Sequence, residues 1–61
     1  MPIIQVQVLE GRSDEQIKDL VAGITKTAVE TLGVKPEQVR VIVQPIPHKY
    51  WVVGGVTKEN G

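Results

Sequence analysis

Residues 3–17 read Ile3-Ile4-Gln5-Val6-Gln7-Val8-Leu9-Glu10-Gly11-Arg12-Ser13-Asp14-Glu15-Gln16-Ile17, and the fold turns on the change of period inside this stretch. Through Leu9 the side chains alternate. Ile4, Val6 and Val8 share one face and Ile3, Gln5, Gln7 and Leu9 the other, the period of a strand whose first set meets the core. Glu10-Gly11-Arg12 reads as a turn. Ser13 with Gln16 three residues later is a capping box, and Asp14 and Glu15 sit where a helix N-terminus favours negative charge. Ile17, Leu20, Val21, Ile24, Ala28 and Leu32 then recur at helical spacing, with Lys18, Asp19, Lys26 and Glu30 on the other side. Gly33 supplies a C-cap and Pro36 forbids continuation.

Val39 to Gln44 predicts a second strand, apolar on both faces except for Arg40, so both faces need cover. Pro45 and Pro47 are expected to end it and open a loop. Two strands joined by one long helix make a right-handed β-α-β unit with parallel strands. Tyr50 to Val56, with Gly54-Gly55 at its turn, predicts a short C-terminal hairpin, and Thr57 to Gly61 a polar tail. The fold class is therefore α/β, with residues 1–61 as one domain. A two-stranded sheet is marginal alone and leaves open edges, so oligomerisation is expected to complete it, the hairpin acting as an arm on a neighbouring chain.

Composition supports the same need. A chain of 61 residues buries only about 60% of the surface it exposes when unfolded. With no cysteine and a single histidine, His48, neither disulfides nor a metal site can add support, so no metal is expected. Seven basic and seven acidic residues cancel and are scattered, which argues against nucleic acid or an anionic membrane surface as partner. The first strand is too short and too interrupted by Gln5, Gln7 and Glu10 for a signal peptide or a membrane span, so a cytoplasmic protein is expected.

Pro2 stands just before the first strand. If Met1 is removed, Pro2 becomes a secondary amine. A free α-amine titrates at about 7.7–8.0, close to where a general base works best. Taken alone, Pro2 could equally do no more than start a strand. In a parallel pair the strand starts share an edge, so Pro2 and Arg40 are expected to be neighbours. Arg12 follows the far end of the first strand, roughly 25–30 Å from Pro2 at about 3.3 Å per residue, and can join that site only from another subunit. Arg12 and Arg40 are the only arginines, and arginine suits bidentate carboxylate binding. Alternatives remain at this point: a salt bridge of Arg12 to Glu10 or Asp14, a pairing of Arg40 with a neighbouring acid, and plain packing for Trp51. His48 and Tyr50 read as solvated surface residues.

Pro2 opening a strand, the block Leu9 to Gln16, the strand Val39-Arg40-Val41-Ile42-Val43, Trp51 eleven residues past Arg40 and the Gly54-Gly55 pair occur together in this order. Over essentially its whole length the chain resembles the 4-oxalocrotonate tautomerase family. The resemblance implies a β-α-β protomer assembled as a homohexamer of three dimers, no cofactor, and a cofactor-independent tautomerase acting on 2-hydroxymuconate-like unsaturated 2-hydroxy acids, in a setting such as aromatic hydrocarbon catabolism. By the same resemblance Pro2 is the general base and Arg40 polarises the 2-hydroxy or carbonyl oxygen. Arg12 from another subunit grips a distal carboxylate, and Trp51, with Leu9 and Val53, forms an apolar wall that keeps the amine neutral. The chain departs from the family where Val52-Val53 replaces a frequent Gly-Ile and where Gln38 replaces a serine of some members; both bear on the pocket. Two other readings differ in chemistry. One is a non-catalytic oligomeric module binding small carboxylates, and the other hydrates or dehalogenates acrylates, for which Glu10 is the one candidate acid.

Overall fold

The computed structural model describes residues 1–59; Asn60 and Gly61, the end of the expected polar tail, lie outside the described residues. Strand β1 (Ile3–Leu9) is followed by helix α1 (Asp14–Leu32), a 3-10 turn at Pro36–Gln38, strand β2 (Arg40–Ile46), a second 3-10 turn at His48–Tyr50, and the strands β3 (Val52–Val53) and β4 (Val56–Thr57). β1 and β2 pair in parallel, from Ile3 opposite Arg40 to Leu9 opposite Ile46. β3 and β4 form a separate antiparallel hairpin. No described helix is long and apolar enough to cross a membrane.

The turn from strand to helix forms as the residues dictate. Gln16 N donates to Ser13 Oγ at 3.1 Å and Ser13 N to Gln16 Oε1 at 3.0 Å, so two helix-start donors are satisfied reciprocally. At the other end Gly33 adopts φ 67° and its N–H donates to Val29 O at 3.1 Å, a left-handed cap that disfavours a β-carbon. The hairpin turns through Gly54 and Gly55 at φ 60° and 81°, the two positive values that match the twist of flanking strands.

Both limits of β2 and both limits of the hairpin differ from expectation, the hairpin starting at Val52 because Tyr50 belongs to the preceding 3-10 turn. β2 runs through Pro45, which pairs in register with Val8, rather than stopping at Gln44. Arg40 N donates to Pro2 O and Ile46 O accepts from Glu10 N, so even-numbered residues of β2 turn their backbone groups toward β1. Pro45 is odd-numbered, and its missing N–H falls on the open edge, where no ladder bond is lost. Thr57, expected in the tail, pairs with Val52 and extends the hairpin. Val39 is not in the strand but caps the preceding 3-10 turn, its N–H donating to Pro36 O at 3.1 Å.

Ile4, Val6 and Val8, with Val41 and Val43, turn toward the helix and are half-buried. Only Ala28 and Val39 are buried among the described residues, and neither completely, at 6% and 9% exposure. The expected helix stripe is in place but only partly covered: Ile17, Val21 and Ile24 are half-buried and Ala28 buried, while Leu32 remains 60% exposed. On the opposite face Ile3 is 64% and Ile42 53% exposed. Two strands are too narrow to cover a helix of 19 residues, which leaves both layers of one protomer unfinished.

Candidate active site

Parallel pairing sets Pro2 and Arg40 at one edge of the sheet. The Arg40 N–H donates to the Pro2 carbonyl at 3.0 Å, so backbone geometry fixes the two residues side by side. Pro2 is half-buried and Arg40 exposed. The Arg40 side chain pairs with no acid among the described residues. Its Nη1 donates instead to the main-chain oxygen of Glu37 at 2.7 Å, a bond that anchors the guanidinium on the 3-10 turn. That turn is itself closed by Gln38, whose Oε1 accepts from Lys35 N at 3.0 Å, so Gln38 acts here on the backbone that carries Arg40. A guanidinium has five donors, and one anchor leaves the remainder for an incoming oxygen.

The other candidates gather at the opposite edge. Leu9, Glu10, Gly11, Arg12 and His48 line a recess of about 310 Å³ beyond the carboxyl ends of both strands. Neither Glu10 nor Asp14 bridges to Arg12, and no described residue forms an ion pair with it. Trp51 is half-buried at the base of the hairpin arm, its N–H donating to His48 O at 3.2 Å and its carbonyl accepting from Lys58 N at 3.0 Å. Val53 is exposed and paired with Val56. Within one protomer the seven residues of β1 separate Arg12 from Pro2, a span of roughly 20–25 Å. Within one chain, therefore, Pro2 and Arg40 lie at one edge of the sheet and Arg12 at the other.

His48 lies in a 3-10 turn rather than an open loop, with its side chain partly exposed, at 32%, and Nδ1 3.6 Å from Glu10 Oε1. The signal for this contact was available in the parallel register. With Leu9 opposite Ile46, the residues just beyond the two strand ends share an edge, as Pro2 and Arg40 do at the other. Tyr50 is exposed as expected, with the Lys49 ammonium 5.2 Å from its ring centre.

A sequence profile of the tautomerase enzymes matches residues 2–61. A probable tautomerase of Staphylococcus epidermidis is 45% identical over 60 residues, covering 98% of each chain. A 4-oxalocrotonate tautomerase isozyme of Methylibium petroleiphilum superposes with a TM-score of 0.91 at 44% identity, covering 93% of this chain and 89% of its own. The chain belongs to the 4-oxalocrotonate tautomerase family. Its β-α-β protomer with a terminal hairpin is the fold of that family, and its class is that of an isomerase. A further tautomerase structure, a heterohexamer from Chloroflexus aurantiacus, superposes with a TM-score of 0.93 at 33% identity, covering 98% of this chain and 97% of its own.

Proposed function

We propose that residues 1–61 form a single domain and that the chain, once Met1 is removed, is a cofactor-independent tautomerase interconverting enol and keto forms of 2-hydroxymuconate-like unsaturated 2-hydroxy acids. The observation that carries the proposal is the 3.0 Å bond from Arg40 N to Pro2 O, which fixes a potential base beside a cation at one sheet edge. While Met1 is attached, the Pro2 nitrogen is an amide and has no basic lone pair. Once free, the amine takes the 2-hydroxyl proton and returns it to carbon at the far end of the conjugated system, so proton and electron pairs balance within one substrate.

Arg40, held by Glu37 O, faces the oxygen on which enolate charge develops, where a preorganised cation lowers the barrier. Arg12 arrives from a neighbouring subunit and binds the distal carboxylate, which converts binding into orientation. Trp51, Leu9 and Val53, at the opposite edge of their own chain, come like Arg12 from a neighbouring subunit and supply an apolar wall that disfavours the charged amine. Self-association is supported by the uncovered Ile3, Ile42, Val52, Val53 and Val56 and by the hexameric relative, and a hexamer of this chain is the assembly proposed.

Ultraviolet assays of 2-hydroxymuconate ketonisation test the reading, with intact mass recorded on the same sample. Loss of Met1 and a Pro2→Ala variant reduced to background are expected. Natural-sequence activity no greater than that of Pro2→Ala would overturn the proposal, and retention of Met1 in the intact mass would favour the carboxylate-binding module.

A further inference from the structure

Glu10 and Arg12 are two residues apart on one turn, and Glu10 is among the acids nearest in sequence to Arg12. An acid so placed competes with any incoming carboxylate for the guanidinium. In the structure its carboxylate lies 3.6 Å from His48 Nδ1 instead, and Arg12 forms no ion pair with Glu10 or Asp14 among the described residues. Both groups and Arg12 line the same 310 Å³ recess, and Glu10 and Arg12 are the charged residues that line it with His48. Lys49, next to His48, is directed onto the Tyr50 ring.

His48 is held where it must be to do this. Pro47 fixes the entry to the turn, and Tyr50 N donates to Pro47 O at 2.9 Å while Trp51 N donates to His48 O at 3.2 Å, so the backbone carrying the imidazole is tied at both ends. Glu10 is equally fixed in its main chain, its N–H donating to Ile46 O at 2.9 Å. The pairing partners are thus set by the parallel register and not by a flexible loop.

We propose that His48, by holding the Glu10 carboxylate, keeps that acid off Arg12 and so sets the preference of the Arg12 recess for ligands that carry a second carboxylate. His48 is a positioning residue, acting through Glu10. The inference rests on the proposed role of Arg12 in carboxylate binding, and not on Pro2 being the base.

An exposed pair of this kind is weak, so releasing Glu10 onto Arg12 should occupy the guanidinium only part of the time and weaken ligand binding by about two- to five-fold. The test is calorimetric binding to the assembled protein of two unreactive six-carbon probes, muconate with two carboxylates and sorbate with one. It is run at low ionic strength, where an exposed charge pair is screened least. His48→Ala is expected to weaken muconate by that factor and leave sorbate unchanged. The double variant His48→Ala with Glu10→Gln is expected to return muconate to its original affinity, which a merely structural role of His48 would not allow. Equal losses on both probes, no recovery in the double variant, or no preference for muconate in the unaltered protein would overturn the inference. Ketonisation assays on the same samples report separately on the tautomerase reading, because binding of these probes requires no proton transfer.

Discussion

At the scale of residues, the proposed chemistry divides between a base, a cation that meets developing charge and a cation that orients. Arg40→Ala should therefore lower kcat by about 10²–10³-fold, the range for removing one preorganised stabiliser of a developing oxyanion. Arg40→Lys should recover only part, since a single ammonium cannot both bond Glu37 O and present a fork to the substrate. Arg12→Ala should raise KM on 2-hydroxymuconate and have a milder effect on the monocarboxylate phenylenolpyruvate; equal losses on both would exclude a distal-carboxylate role. The adjacency of Pro2 and Arg40 was legible in the sequence because parallel pairing brings two strand starts together whatever the side chains do. The Glu37 anchor was not legible, since it depends on a three-residue turn whose carbonyl direction no periodicity encodes. The contact of His48 with Glu10 did not follow from local composition, which around two prolines resembles an open loop, because it joins residues remote in sequence.

At the scale of elements, the capping box makes the helix start a quantitative target. Ser13→Ala removes the oxygen that Gln16 N bonds and should cost about 1 kcal/mol, roughly 4–8 °C in Tm for a domain of this size, measured at fixed protein concentration. Gln16→Ala should cost less, because it leaves the Ser13 oxygen in place, and no change in either variant would contradict the capping role. Helix limits and the face of β1 were readable because each rests on local chemistry: caps, periods of 3.6 and 2, and a glycine at positive φ. The end of β2 was not. Proline signals a strand end only where its nitrogen must donate, and whether Pro45 faces the ladder or the open edge is decided by the register with β1.

At the scale of the whole molecule, one protomer is an unfinished object. Fully burying an isoleucine side chain is worth about 1.5–3 kcal/mol, and Ile42 at 53% exposure leaves about half of that to be gained on association. Ile42→Glu should therefore shift the sedimentation profile toward smaller species and reduce activity in parallel, whereas Arg12→Ala should leave assembly unchanged. Retention of full activity by a dissociated Ile42→Glu protomer would show that one chain holds a complete site.

The shared site is the central claim, and co-refolding tests it directly. Pro2→Ala subunits retain Arg12, and Arg12→Ala subunits retain Pro2, so neither alone forms a complete dicarboxylate site. Mixed and refolded together, and assayed at substrate well below the raised KM of Arg12→Ala, they should turn over 2-hydroxymuconate well above the sum of the two separate preparations, because some interfaces then pair an intact Pro2 with an intact Arg12. Activity no greater than that sum, in a sample shown by mass to contain mixed oligomers, would contradict a site built across subunits.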